Sequence, residues 1–147
     1  MQARSAPWDS ERFLAFWINH TSRKLLRMHD ARLRELGIGM AYIPVLMALD
    51  ERGPLSQKDL VAAARVEQPT MVQLLARMER DGLIRRPEVQ RGGLFELTRL
   101  ARTRVAQARD VLVRGEQQVV RGISEEEKAT LIALLKRVAA NTDGLDS

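Results

Sequence analysis

The sequence predicts a mainly α-helical protein with one small β-ribbon. Apolar residues recur at three- and four-residue steps through most of the chain, as in amphipathic helices. Capping residues, glycines and prolines mark the ends of these periodic stretches. After Gly82 the period changes to two short strand-like pieces. At 147 residues with 45% hydrophobic content, the chain can bury the core of one ordinary domain.

The first two elements are predicted to be helices. A long amphipathic helix is expected over residues 9–36, where Asp9 or Ser10 can cap the start and Gly37 ends it. A second helix is expected over residues 41–51, before a Gly-Pro pair. Because the long helix alternates apolar residues with Arg and Lys, its apolar stripe must pack against another surface.

The next segment predicts two short helices separated by about three residues. Ser56 opens the first of them, over residues 56–64, with Asp59 in the capping-box position. Residues 65–67 form the turn, and the second helix runs over 68–80 before an Asp-Gly stop signal. This spacing is typical of a helix-turn-helix.

A two-stranded ribbon is predicted after the second of these helices. Residues 83–86 and 94–97 read as strands, and Gly92-Gly93 suits a tight hairpin turn between them. Helical periodicity returns from residue 98 until Gly122, and the run Ser124-Glu-Glu-Glu127 predicts the cap of a last helix.

Together these elements predict a winged helix-turn-helix, over residues 41–98, flanked by N- and C-terminal helices. A compact helix-turn-helix with a wing needs only the middle of the chain, so the apolar faces of 9–36 and 98–142 require another partner. The simplest partner is a second copy of the chain. We therefore expect residues 1–147 to form a single domain that dimerises through these helices.

Composition limits the function further. The chain has no cysteine, which excludes thiol chemistry and fits the reducing cytosol. Phe13–Ile18 is too short an apolar run for a signal peptide or a membrane span. The net charge is +5, and residues 56–105 hold ten cations against six anions, so this third of the chain carries most of the excess. This charge permits a double-stranded DNA partner for the middle segment but does not require one, since many basic proteins are simply soluble.

Three polar residues are predicted to read base edges from the helix over 68–80. Gln can pair bidentately with adenine, and Thr can donate to a base or touch a thymine methyl. The candidates are Gln68, Thr70 and Gln73. Taken alone, their types and spacing favour an ordinary solvated helix face, and only the helix-turn-helix context favours the DNA role.

Three arginines are predicted to contact the phosphate backbone or the minor groove. Arg77 lies one turn beyond the reading residues, and Arg91 lies near the wing tip, where a cation can enter the narrow minor groove. Arg85 and Arg86 alternate on a strand, and Arg86 is favoured as the one that faces DNA. A solvated surface arginine is the alternative for Arg91.

At these residues the sequence resembles the MarR family, the multiple-antibiotic-resistance type of winged-helix regulators. Five blocks match in the family's order: 53–60 (GPLSQKDL), 66–70 (VEQPT), 77–86 (RMERDGLIRR), 97–98 (LT) and 123–127 (ISEEE). The resemblance implies a triangular homodimer, a pseudo-palindromic operator, and repression that is relieved by a small aromatic or phenolic ligand. It also supports the base-reading, phosphate and wing positions above.

Three departures from the family pattern concern the DNA contacts. Val89 stands where an Asp usually orients the wing arginine, so the wing is expected to be looser or aimed differently. Val72 and Gln73 replace the common Ser or Thr and Arg, which lowers the charge of the helix and changes the expected base preference. Ala101 replaces a glycine and should matter less.

An effector pocket is expected between the dimer helices and the DNA-binding lobe. The nearest candidates for its lining are Trp17, His20, Met40 and Tyr42, although aromatic residues at helical spacing are also ordinary core residues. No cofactor is predicted. His20 and His29 are the only histidines, and with no cysteine they do not predict a metal site.

Two other classes of function compete with this interpretation. An enzyme is not predicted, because the sequence has no Gly-rich phosphate loop, no nucleophile elbow and no paired carboxylates beside a histidine. The stronger rival is a winged-helix scaffold that binds another protein and has lost DNA. Val89 and the reduced charge of the reading helix favour that rival, whereas Arg77, Arg86 and Arg91 oppose it.

Overall fold

The computed structural model describes residues 8–87 and 93–145. It divides the chain into two compact units, residues 1–112 and 113–147. The described residues form helices α1 (Leu14–Leu33), α2 (Ile43–Arg52), α3 (Gln57–Ala64), α4 (Gln68–Arg80), α5 (Arg99–Val119) and α6 (Glu125–Thr142), and strands β1 (Ile84–Arg85) and β2 (Glu96–Leu97). The predicted element order is confirmed; the single-domain boundaries stay a prediction.

The first helix is shorter than predicted. Residues 10–12 form a separate 3-10 turn that Asp9 caps, and Phe13 is extended, with φ −99° and ψ 127°. Trp8 stacks on Phe13 at 4.2 Å between ring centroids, and the Trp17 indole donates to the carbonyl of Glu11 at 2.8 Å. These aromatic contacts stabilise a bend that helical periodicity alone does not reveal.

A glycine turn follows α1. After a 3-10 turn over residues 34–36, Gly37 adopts the left-handed conformation with φ 66°. A Cβ atom at this position would lie 2.8 Å from Nη1 of Arg104 in α5. The backbone angle therefore favours glycine here, whereas the end of the flexible arginine side chain could move aside from a Cβ atom.

The helix-turn-helix forms as its caps predict. In the capping box of α3 the Ser56 hydroxyl accepts from the backbone N–H of Asp59 at 3.2 Å, and the Asp59 carboxylate accepts from Ser56. These hydrogen bonds lower the pKa of Asp59, so the cap is intact at neutral pH. Arg65 then turns the chain in the left-handed conformation, with φ 53°, and α4 begins at Gln68.

The ribbon is antiparallel and short. Ile84 pairs with Leu97 and Arg85 with Glu96, while Leu55 and Phe95 form a further bridge with N–O distances of 2.8 and 3.0 Å. Beyond β2, the Thr98 hydroxyl donates to the carbonyl of Gly82 at 2.6 Å and accepts from the N–H of Ala101. Thr98 thus caps α5 and ties its start to the end of the helix-turn-helix.

One hydrophobic core lies in the first unit. It draws apolar side chains from α1, α2, α3, α4, the ribbon and α5. The largest of those that are less than 2% exposed are Phe95, Leu33, Ile38, Leu46, Leu60, Met71, Leu75, Met78 and Leu83. Burial of this set fixes the face of α4 that points inward.

The second unit has a different character. Ser124 caps α6 through a capping box with Glu127, and Lys128 pairs with Glu116 at 2.9 Å. No residue of α6 is buried, and four of its apolar side chains are 41–51% exposed: Leu131, Ile132, Leu134 and Leu135. Among the helices of the described ranges, none is long and apolar enough to cross a membrane.

Candidate nucleic-acid interface

Helix α4 presents a sharply divided surface. Its inward face consists of Met71, Leu74, Leu75 and Met78, all at most 4% exposed. Every other residue of α4 is exposed, including the predicted reading residues and Arg77. The helix is therefore anchored along one side and open along the other, as insertion into a DNA groove requires.

The predicted contact residues of α4 do not share one side. At about 100° per residue, Thr70, Gln73 and Arg77 follow one another at three- and four-residue steps along one edge. Gln68 starts the helix on the opposite edge, near the exposed Val72. A groove that encloses the helix can contact both edges, with Gln68 reaching it from the end of the helix.

The two arginines at the end of β1 and just after it both have acidic partners. Arg85 pairs across the ribbon with Glu96, with Nε and Nη2 each 2.7 Å from Oε1. Arg86 lies over the ring of Phe95, with its guanidinium carbon 4.3 Å from the ring centroid, and its Nε is 3.8 Å from Oε1 of Glu79. Arg86 thus braces the base of the wing, a role that its sequence position did not indicate; its contact with phosphate stays a prediction.

The two roles of Arg86 can be separated by substitution. We expect Arg86→Ala to lower the free energy of unfolding by about 0.5–1 kcal/mol, because the stacked cation is lost. Arg86→Lys keeps the charge but not the flat stacking surface, so it should retain the salt dependence of DNA binding while losing part of the stability. Urea denaturation measures the loss, with Arg80→Ala as the surface control; equal stabilities of the Arg86→Ala and Arg80→Ala proteins would contradict the bracing role.

The tip of the wing lies outside the described residues. The predicted minor-groove residue Arg91 belongs to it, as do Val89 and Gly92. Their predicted roles therefore stay predictions. The described strands place the two ends of this segment beside each other at Arg85 and Glu96.

A cleft of about 450 Å³ lies beside the C-terminal end of α4, within the first unit. Met40 and Tyr42, two of the four predicted pocket residues, line it together with Ile38. The Asp30 carboxylate accepts from the backbone N–H of Met40 at 2.7 Å and so holds this loop against the end of α1. The other polar lining residues are Arg34, Arg77 and Asp81.

Tyr42 connects the cleft to α4. Its hydroxyl donates to Oδ2 of Asp81, the C-cap of α4, at 2.6 Å. Burial of the ring, together with this hydrogen bond, raises the pKa of Tyr42 above its ordinary value near 10. The phenol therefore remains protonated, and the hydrogen bond intact, throughout the neutral range.

Trp17 and His20, the other two predicted pocket residues, do not line this cleft. They form an aromatic cluster with Phe16 on α1, where His20 stacks on Phe16 at 5.7 Å and meets Trp17 edge to face at 6.1 Å. The structure thus separates the four predicted residues into two groups, and a ligand role for either group stays a prediction.

Sequence reasoning missed the charged lining of the cleft. Asp30 lies ten residues before Met40, and no local pattern links them. Arg77 and Asp81 are four residues apart in a helix, a spacing that normally indicates a surface ion pair rather than a cleft. Only the packing of the 38–42 loop against α4 brings these groups together.

Comparison with known proteins agrees with this fold. The MarR family model matches residues 36–93. A solved structure described as the transcriptional regulator PA3341 is 30% identical, with a TM-score of 0.73, and the match covers 89% of this chain and 98% of that one. The chain belongs to the MarR family. A relative from Bacillus subtilis strain 168, the uncharacterized HTH-type transcriptional regulator YwoH, is 25% identical over 127 residues, covering 85% of this chain and 93% of YwoH.

Two further structures show the same fold with a partner bound. A mutant of MarR from Escherichia coli in complex with operator DNA is 22% identical, with a TM-score of 0.75, and the match covers 85% of this chain and 92% of that one. The organohalide-sensing regulator RdhR-CbdbA1625 in its 2,4-dichlorophenol-bound form is 22% identical, with a TM-score of 0.77. The match covers 97% of this chain and 89% of that one. At 22% identity, these two matches show only that the fold is shared.

Proposed function

We propose that this protein is a sequence-specific transcriptional repressor that binds a pseudo-palindromic operator as a homodimer in the cytoplasm and is released by a small effector. The observation that carries the proposal is the divided surface of α4, with four buried anchors on one side and exposed Gln, Thr and Arg side chains on the other. The operator complex of Escherichia coli MarR, which shares the fold, supports it.

The base-reading role is assigned to Gln68, Thr70 and Gln73, with Arg77 on the phosphate backbone. Gln and Thr supply donors and acceptors that distinguish base pairs, whereas a guanidinium on phosphate adds affinity without sequence information. Val72, which is 50% exposed between the two edges, can contact a thymine methyl. We place Arg86 and Arg91 on the backbone and the minor groove at the wing.

A homodimer is supported by apolar residues that the fold leaves uncovered. On α1 these are Leu14, Trp17 and Leu26, which are 46–57% exposed, and on α6 they are the four side chains named above. Considered by itself, each of these two helices needs a partner surface that buries its exposed apolar side chains. Two-fold symmetry of a dimer would place two recognition helices about one turn of DNA apart.

An effector site is proposed in the cleft beside α4, lined by Met40 and Tyr42. Its volume lies within the range typical of small-molecule pockets, about 300–1,000 Å³. The dichlorophenol-bound regulator of the same fold supports a small aromatic or phenolic effector. Trp17 and His20 are kept as an alternative aromatic site on α1.

Selection of bound sequences from random duplexes tests the proposal. We expect an inverted repeat whose half-sites lie about ten base pairs apart. Recovery of no inverted repeat at low salt would overturn DNA binding and favour a protein-binding role for the same scaffold.

Substitutions in α4 test the assigned roles. Gln68→Ala and Gln73→Ala should each change the preferred bases, with about 1–3 kcal/mol lost at the affected position. Arg77→Ala should weaken binding to all sequences alike and lower the salt slope by about one per protomer. Competition titrations on operator and scrambled duplexes measure both effects, and equal losses on all sequences for the three variants would refute the assignment.

A further inference from the structure

The turn between α3 and α4 holds an arginine in a strained conformation. Arg65, the C-cap of α3, has φ 53° and ψ 42°, in the left-handed region. In the ranges that the structure describes, it is the only residue other than glycine with a positive φ. A residue with a Cβ atom is less stable in this region than in the right-handed one, which is why glycine is common after a helix. The chain thus has arginine where the backbone favours glycine.

Contacts within the chain do not account for the side chain of Arg65. It is exposed, and among the described residues its guanidinium takes part in no hydrogen bond, ion pair or ring contact. Its backbone N–H donates to the carbonyl of Val61 at 3.0 Å, a hydrogen bond that any residue except proline can make. Backbone strain that the fold itself does not use indicates a functional constraint.

The place of Arg65 beside α4 indicates what this constraint is. Gln68, a proposed base reader, begins α4 just after the turn. The sequence contains no other cation over residues 59–76, so the N-terminal half of α4 has no positive charge of its own. Arg77 lies at the other end of the reading segment, about 14 Å along the helix axis from Gln68. Because a helix in the major groove passes between two phosphate backbones, a cation at each end of this segment can contact phosphate.

We propose that Arg65 contacts a DNA phosphate beside the N-terminal end of α4, and that the strained backbone of this turn is retained for that contact. The inference rests on the proposed function, because it requires α4 to enter the groove. A glycine would relieve the backbone but could not supply the charge. DNA affinity and the stability of the free chain therefore make opposite demands on this residue.

Two substitutions separate the backbone angle from the charge. Arg65→Gly and Arg65→Ala both remove the guanidinium, but only glycine relieves the left-handed conformation. We expect the unfolding equilibrium constant of Arg65→Gly to be about two- to fivefold smaller than that of Arg65→Ala, because the relief of strain exceeds the added entropy of an unfolded glycine. Urea denaturation measures the difference. Equal stability of the two variants would show that the turn is not strained and would overturn the proposal.

The DNA contact is tested by the salt dependence of binding to the selected operator and to a scrambled duplex of the same length. Each phosphate contact contributes about 0.9 to the slope of log K against log salt concentration, so both variants should lower the slope by about two per dimer. The slope should fall on both duplexes, because phosphate carries no sequence information. Arg65→Lys keeps the charge and should keep the slope. Arg23→Ala removes an exposed arginine of α1 and is the matched control, which should bind as the wild type does.

A role confined to the free chain would give a different result. A cation at the C-terminal end of α3 can act solely through the helix dipole. Arg65→Ala would then be less stable than the wild type but would bind both duplexes with the wild-type slope, which would overturn the phosphate contact and leave the proposed function standing. A wild-type chain that binds neither duplex at low salt would overturn the proposed function and the contact together.

Discussion

Replacing Leu131 and Leu135 with glutamate is expected to convert the protein into a monomer. The two side chains are 51% and 41% exposed, they share one face of α6 at a four-residue step, and no residue of that helix is buried in the chain itself. A partner must cover them, and two carboxylates at a dry interface would have no counter-charge. Size-exclusion chromatography with light scattering measures the change.

The same double variant should lose operator affinity. Two linked recognition helices gain from effective concentration, so separation of the protomers is expected to weaken binding by about 10²–10⁴-fold. Lys136→Glu places an acid about 100–140° around α6 from the two leucines and provides the control, which should remain dimeric. A dimer that persists in the double variant, or a monomer that binds the operator with undiminished affinity, would contradict the role of α6.

Replacing Phe95 with alanine is expected to lower the free energy of unfolding by about 3–5 kcal/mol. The ring is 1% exposed, its backbone pairs with Leu55, and Arg86 lies over its face. The substitution therefore leaves a cavity where the ribbon joins the helix-turn-helix, and such a loss is a large part of the stability of an ordinary domain.

Urea denaturation monitored by circular dichroism measures this loss. Leu100→Ala is the matched control, because Leu100 lies near the start of α5 but is 45% exposed; its cost should stay within about 0.5 kcal/mol. A Phe95→Ala protein that loses less than about 1 kcal/mol would show that the ribbon contributes little to the core.

Much of the fold could be predicted from local signals. Ser56 and Asp59 form the expected capping box of α3, Ser124 and Glu127 form that of α6, and α4 has the predicted bounds. These features depend on residues within four positions of one another, so the sequence displays them directly. The bend at Phe13 was not predicted, because it depends on a stack with Trp8 that carries no periodic signal.

Only part of the candidate site could be predicted from the sequence, for the same reason. The exposed edge of α4 follows from helical periodicity, because the buried Met and Leu residues fix which side is open. The hydrogen bond from Tyr42 to Asp81 joins residues 39 positions apart, and the contact of Arg86 with Phe95 depends on the pairing of two strands. No pattern in the sequence specifies such contacts.

The sequence by itself therefore determined the order of the elements, the inward face of α4 and the concentration of positive charge between Ser56 and Val105. Only the tertiary structure decided which charged groups neutralise one another. Arg85 and Arg86 have acidic partners, whereas Arg77 has no salt bridge among the residues that the structure describes, and the acid four residues beyond it accepts from Tyr42. Backbone periodicity is a local property of the chain, but the pairing of charges depends on which distant segments pack together.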